Sequence, residues 1–395
     1  MPVTRRPWLR PLAMRLHRWV ALALGLWFGV LGLTGALLVW HAEVDRALNP
    51  AWFAPLPGCG RVEARPIAAS LDLFHRQVQS GTAIQILAPV TPGAAYVVVQ
   101  KPGADGLRRQ HFVDANCGRY LGSRVWGAAR IDRAHFVPAV YELHRSLLSK
   151  EAGHVAVGLA GLAFLFVAVS GIVTAWPRHA SREAWKRTLS IKQGASRHRF
   201  FYDLHRAAGT WLFGFLLLMT LTGAYLCFPK QGRALVAMAL PTQPADMREA
   251  GTVPENAGRD LDALVRKAQS LWPDTQWTRV QLQGKPPGAY DVRLLQRSEL
   301  RVDTGDTRVR MSMNGRVVDI RDPLKAPGGD QLLSWLFPLH SGEALGLIGR
   351  LAWTLFGFGP VLLFATGLWL WLRRSGSRQQ HLTVSRAGRT DGAKH

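Results

Sequence analysis

Four uncharged apolar runs, residues 19–40, 155–176, 207–228 and 351–372, limit what this chain can become. A bilayer core about 30 Å thick needs about 20 mostly apolar residues as helix, and every run reaches that length. Gly29, Gly32, Thr34 and Gly35 in the first run are small enough to let membrane helices approach closely. Trp19, Trp40, Trp176, Trp211, Trp353 and Trp371 stand near run ends, as an aromatic belt would. The first run is too long for the apolar region of a cleaved signal peptide, and no small-x-small cleavage site follows it.

Charge gives the runs an orientation. The chain has 49 Lys and Arg against 26 Asp and Glu, a net +23. Composition alone would suggest a nucleic-acid binder. The basic residues, however, sit in short blocks beside the apolar runs, the pattern that membrane topology selects. Lipid is therefore the expected surroundings, and nucleic acid is not an expected partner. Arg5, Arg6, Arg10, Arg15 and Arg18 precede the first run. Arg178, Arg182, Lys186, Arg187, Lys192, Arg197 and Arg199 lie between the second and third. Arg373, Arg374, Arg378, Arg386, Arg389 and Lys394 follow the fourth. The positive-inside rule places all three blocks in the cytoplasm. The expected division is a cytoplasmic N-terminus 1–18, spans at 19–40, 154–176, 205–228 and 350–372, outer domains at 41–153 and 229–349, a basic loop 177–204 and a basic tail 373–395. In a Gram-negative cell the outer domains would be periplasmic and the membrane the inner one. Cys59 and Cys117 share the first outer domain, where a disulfide and two free thiols both remain open. Cys227 falls at a helix end in the membrane.

The chain repeats itself. Leu16-His17-Arg18 aligns with Leu204-His205-Arg206 at an offset of 188 (205 − 17), and Leu33-Thr34-Gly35 falls on Leu221-Thr222-Gly223 at the same offset. Leu143-His144 aligns with Leu339-His340 at 196 (340 − 144), as does Ser170-Gly171 with Thr366-Gly367. The spacing predicts an α-helical integral membrane protein of four spans in two parallel, pseudo-symmetric pairs. The outer domains repeat too, each as a small α+β module. A helix over 68–79 precedes strands at 83–87, 95–100 and 110–113, then a turn at 114–118 and Tyr120-Leu121. A helix over 261–271 precedes strands at 278–282, 290–295 and 308–313, then the hairpin signal Asn314-Gly315 and Val317-Val318.

The repeated histidines carry the chemistry. His17 and His205 occupy equivalent inner helix ends, and His144 and His340 equivalent outer approaches. Pseudo-twofold symmetry would bring each pair together. Two neutral imidazoles across an axis can hold one flat iron macrocycle from both sides. Such ligation leaves no open position and suits electron transfer. The absence of C-x-x-C-H excludes c-type attachment, leaving haem b, two groups in all. Arg18, Arg145 and Arg206 follow three of the four histidines and suit propionates. A lone histidine at a helix end is ordinarily interfacial; the fourfold repetition favours the ligand reading. His41 and His154, also near outer helix ends, stand as alternates for the outer pair. Residues 17 to 41 span about 36 Å of helix, so one site near each membrane face is expected.

The LHRW at residues 16–19, GLTGALLVW at 32–40, Glu43-Val44-Asp45, Leu48-Asn49-Pro50, LHRSL at 143–147 and PLHSGEALG at 338–346 resemble the PepSY-associated transmembrane family, also called iron-regulated or iron-uptake membrane proteins. The resemblance runs from about Arg15 to Arg374. It implies that both outer modules are PepSY-like and periplasmic. It also implies b-type haem, with His17, His205, His144 and His340 as ligands, and an oxidoreductase that reduces ferric siderophore to release Fe(II). Ala207 after the second LHR and Ser341 after His340 depart from the pattern, which bears on the propionate partners more than on the ligands.

The chemistry implied is simple, because hard oxygen ligands hold Fe(III) far better than Fe(II). Arg119, Arg124, Arg130 and Arg133 are candidates for docking the chelate. Neither G-x-G-x-x-G after a strand nor Walker A is present, so the electron donor is expected to be quinol or a cytoplasmic reductant. Periplasmic iron-uptake proteins are further expected partners. Two other readings compete. One is a non-catalytic PepSY-type sensor, assembly or adaptor protein. The other is a transporter, against which the runs lack midplane acids or broken helices.

Overall fold

A computed structural model describes residues 9–55, 67–79, 81–179, 181–243, 260–282, 289–312 and 314–374. Arg5, Arg6, Cys59, Arg378, Arg386, Arg389 and Lys394 lie outside the described residues. In chain order the helices of the first half are α1 (Leu9–Leu38), α2 (His41–Leu48), α3 (Pro50–Phe53) and α4 (Ile67–Gln77). Strands β1 (Ala83–Leu87), β2 (Tyr96–Gln100), β3 (Arg108–Asp114) and β4 (Arg119–Trp126) follow, then α5 (Phe136–Ser146) and α6 (Lys150–Ala175). The second half has α7 (Arg182–Leu189), α8 (Arg197–Trp211), α9 (Phe213–Cys227), α10 (Pro229–Ala237) and α11 (Leu261–Ser270). Strands β5 (Gln276–Gln281), β6 (Ala289–Leu295), β7 (Thr307–Ser312) and β8 (Val317–Arg321) follow, then α12 (Gly328–Ser341), α13 (Gly346–Gly357) and a last helical stretch over 359–374. These elements form two compact units.

The first unit holds the apolar helices. Three are long and apolar enough to cross a membrane: Arg10–Leu38, Lys150–Ala175 and Glu343–Arg374. The third apolar run is not one straight helix. It is the pair α8 and α9, bent by 56° at Leu212. Leu26 is 68% exposed and Trp211 70%, a surface a water-soluble unit would bury. Small residues set the packing. A Cβ on Gly32 would lie 2.4 Å from the Gly357 carbonyl oxygen, so α1 and α13 touch backbone to backbone. Phe28 of α1 stacks on Phe164 of α6 at 4.2 Å. The fourth run breaks at Phe358, just before Pro360, which has no N–H to give its helix. Leu212 packs against Gly359, so the two breaks meet.

The second unit is built on one antiparallel sheet ordered β4-β3-β2-β1-β5-β6-β7-β8. The strands expected from alternation occur, each within two residues of the expected start. What alternation does not predict is that the two modules share a sheet. Their first strands pair across the middle, Ile86 opposite Val280. These two residues are separated by 194 positions (280 − 86). So are Ile67 and Leu261, which begin α4 and α11, and Tyr96 and Tyr290 of β2 and β6. Each copy thus meets its equivalent at the seam. Helices α4 and α11 cover one face, their Phe74 and Leu264 packing in one core with Val98, Val113, Val292 and Met311. The Asp262 carboxylate of α11 accepts the Ile67 N–H at 2.8 Å, so one copy caps the other's helix. His111, inside this core, bonds Tyr120 Oη and Gln100 Oε1, each at 2.9 Å. Cys117 is disulfide-bonded, and Cys227 is not in a disulfide.

The other face of the first half is closed by α2 and α3. Trp52 stacks on Phe112 at 4.1 Å. Arg124 of β4 makes two 2.8 Å bonds to the Asp45 carboxylate, with both side chains buried. Asn49 Nδ2 braces Asp45 Oδ1 at 2.9 Å. Glu43 meets Arg350 at 2.8 Å, and that guanidinium holds its carboxyl below the usual range. The sequence motifs at 43–45 and 48–50 therefore act as a clip on the sheet.

Two outcomes follow. Asp45→Ala strands a buried guanidinium and should destabilise the sheet unit by about 3–5 kcal/mol, measured by denaturant unfolding. His111 is pushed down to about 4, chiefly by burial and then by Arg109. A depressed histidine binds fewer protons folded than unfolded, so stability is lost as pH falls from about 6.5 towards 4. His111→Gln should flatten that loss by on the order of 1 kcal/mol at pH 5, read from unfolding midpoints at pH 7 and 5.

Candidate functional site

The structure brings the four repeated histidines together as two pairs. In the first unit α1 carries His17 and α8 carries His205, with ring centroids 6.4 Å apart and planes at 85°. Each ring is anchored by the neighbouring helix. His17 Nδ1 lies 3.0 Å from the Val167 carbonyl and 3.2 Å from Ser170 Oγ. A carbonyl only accepts, so the proton is on Nδ1. Ser170 Oγ donates back to the Val167 carbonyl and is free to accept as well. His205 Nδ1 lies 2.8 Å from Thr366 Oγ1, which donates to the Leu362 carbonyl at 2.7 Å. Thr366 therefore accepts from His205, and the tautomer is again Nδ1–H. Both Nε2 lone pairs are left for a metal, the arrangement in which an outer hydrogen bond fixes a ligating ring.

This gives the Ser170-Gly171 and Thr366-Gly367 repeat a physical meaning. The hydroxyl holds the ring, and the glycine makes room for it. A Cβ on Gly171 would lie 3.1 Å from His17 Cε1, and one on Gly367 3.3 Å from His205 Cε1. Sequence reasoning found the repeat and assigned it no role. The signal was its offset of 196, shared with the outer histidines.

In the second unit α5 carries His144 and α12 carries His340, with ring centroids 6.3 Å apart and planes at 55°. Burial, then the neighbouring His144, pushes His340 down to about 3. It therefore stays neutral and able to ligate at physiological pH. His41 Nδ1 bonds the Leu38 carbonyl at 2.9 Å, and His154 Nδ1 faces the Arg145 carbonyl at 3.3 Å. The outer ring contact is thus the one between His144 and His340.

The separations have a chemical reading. Two imidazoles on opposite sides of one ion, at about 2 Å per metal–nitrogen bond, place their ring centres about 6.3 Å apart. Both pairs have that spacing. Among the described residues no group of three or more His, Cys, Asp or Glu is placed to hold a metal. Each pair by itself supplies two nitrogen donors. The arginines differ in availability. Arg18 Nε is buried with no hydrogen-bond partner and suits an anionic group beside His17. Arg145 faces Glu142 at 3.5 Å. Arg206 is committed to Asp203 at 2.9 Å, the Thr188 carbonyl at 3.3 Å and the Arg187 carbonyl. Of the arginines proposed for docking, Arg124 is locked to Asp45.

The comparisons agree with this architecture. The sequence model of the PepSY-associated TM region matches residues 14–374. The chain is also 28% identical over 258 residues to a Pseudomonas aeruginosa protein named Uncharacterized protein PA4219, a match covering 60% of this chain. It spans 63% of the length of that curated relative. With a match over nearly its whole length, this chain belongs to the PepSY-associated transmembrane family of membrane proteins.

Proposed function

We propose that this chain is a dihaem b electron-transfer protein of the bacterial inner membrane that reduces ferric siderophore on its outer side. The observation that carries the reading is the spacing of the two histidine pairs, 6.4 and 6.3 Å. His17, His205, His144 and His340 would be the ligands, and Arg18, with its unpartnered Nε, the cation for a propionate. Bound there, haem supplies a one-electron couple. Val167, Ser170 and Thr366 keep the inner imidazoles in the ligating tautomer. The donor would be quinol or a cytoplasmic reductant, and the acceptor a ferric chelate whose oxygen ligands lose affinity on reduction.

The topology supports four spans and periplasmic modules. Strands β1 and β5 share a sheet, so the chain must return to the same side of the membrane between them. Helix α6 lies in that interval, and so does the bent pair α8–α9. A single crossing would separate the two strands. This supports the reading in which the bent pair crosses as one span and, with the basic blocks inside, both termini are cytoplasmic.

The purified protein, oxidised and then reduced with dithionite, should show low-spin b-type bands for two groups. His17→Ala or His205→Ala should remove one, and His144→Ala or His340→Ala the other, with unfolding checked by circular dichroism. Loss of both from every single variant would break the assigned pairing. Thr366→Val leaves His205 Nδ1 without its acceptor and should weaken retention of the inner group about 10- to 100-fold, followed by haem transfer to apomyoglobin.

A further inference from the structure

The two halves of the sheet carry different residues at one equivalent row. On the face away from α4 and α11, the first half reads Gln85, Val99, Gln110 and Arg124 in direct register across β1 to β4. The second half reads Arg279, Arg293, Arg308 and Arg321 across β5 to β8. The single arginine of the first row is neutralised by Asp45. The second row sets like charges directly opposite one another, which costs stability. Since the first half folds with a neutral row, the fold itself does not require the arginines. Rules of packing are broken in this way at functional sites.

The cations outnumber their partners. Arg308 meets Asp306 at 2.7 Å, and Arg293 shares that same carboxylate oxygen at 3.8 Å. Arg301, from the β6–β7 loop, faces Asp303 at 3.5 Å, and its Nε is buried without a hydrogen bond. Among the described residues no carboxylate lies within 4.0 Å of Arg279. With its amide oxygen turned towards it, Gln85 accepts from Arg279 Nε at 2.9 Å. Asp303, Asp306 and nearby Glu343 bring at most three negative charges against the four of Arg279, Arg293, Arg301 and Arg308. Arg321 is matched by Asp319 at 3.6 Å and Arg310 by Asp291 at 2.8 Å. Burial, then Arg308 and Arg279, pushes Arg293 down to about 9, still protonated at neutral pH.

The cluster adjoins the outer histidines. Arg301 Cζ stacks 4.2 Å from the Phe337 ring centre, and Tyr141 is close enough to Arg279 to act on its charge. Tyr141 and Phe337 are equivalent residues at the offset of 196 (337 − 141). Each stands three positions before its histidine, on the same helix face as His144 or His340.

We propose that Arg279, Arg293, Arg301 and Arg308 form a binding site for a small polyanion with two or more carboxylate groups, held beside the outer histidine pair. Guanidinium forks match carboxylates in two-point bonds. The inference rests on the proposed function in one respect: if electrons leave at His144 and His340, the preferred chelates of this chain are anionic, carboxylate-bearing ones.

The test is calorimetric titration of the full-length protein in detergent with citrate, with inorganic phosphate as the second arm. Citrate should bind at one site and phosphate at least tenfold more weakly. Arg279→Gln and the more exposed Arg308→Gln should each weaken citrate at least tenfold, while Arg109→Gln, on the first half, changes nothing. Absent citrate binding, or binding equal in all variants, overturns the site. So does loss of haem from Arg279→Gln and Arg308→Gln in protein that binds no citrate, because the arginines would then serve cofactor propionates. The dithionite spectrum of the same samples separates the two readings. Citrate binding without haem bands leaves the anion site standing and removes the electron-transfer function; haem bands without citrate binding do the reverse. In haem-loaded protein, Arg308→Gln should slow reoxidation by ferric citrate at least tenfold and leave reoxidation by a neutral ferric trihydroxamate unchanged. Equal slowing of both overturns the anionic preference.

Discussion

The pairing of β1 with β5 is the junction on which the sheet unit depends. A four-stranded sheet with one helix is a marginal domain, and its first strand would be an open edge. Here each copy closes the other's edge. Ile86 and Val280 face each other at the seam, both fully buried, and α4 and α11 share one core above them. Asp262 reaches from one copy to cap the helix of the other. A pseudo-twofold relation follows from the offset of 194, and it is the relation that also pairs His144 with His340.

In the membrane unit the controlling interaction is smaller. It is the hydrogen bond from each imidazole Nδ1 to the helix beside it. In an apolar setting a ring nitrogen without a partner is costly, and the Ser170 and Thr366 hydroxyls supply the partner without adding charge. They also decide which nitrogen remains available. The membrane pair is thus held by the Val167 carbonyl and two hydroxyls.

Much of this was legible in the sequence. Apolar run length located the helices, alternation located the strands, and the fixed offsets picked out His17 with His205 and His144 with His340. What stayed hidden has a common cause. Run length carries no information about the 56° bend at Leu212, because residues 207–228 are uncharged on both sides of it. Alternation fixes which face a residue takes, but not which strand lies beside it, so neither the shared sheet nor the arginine row could be read off. Arg124 stood among the candidates for docking a chelate. Its partner Asp45 lies 79 residues earlier (124 − 45), too far for any local pattern. Arg206 resembled Arg18 through its motif, yet its guanidinium is spent on Asp203 and the carbonyls of Arg187 and Thr188.

The shared sheet also dictates a schedule for biogenesis. Strand β1 is complete at Leu87, but its partner β5 does not begin until Gln276. At about 5–20 residues per second of synthesis, the first half waits roughly 10–40 s for its seam to close. During that interval α6, α8 and α9 emerge and must find the bilayer. Until then β1 is an unprotected edge, rich in Ile and Leu. The chain is therefore most exposed to misassembly midway through its own translation, and a chaperone that covers edge strands would be of most use to it then.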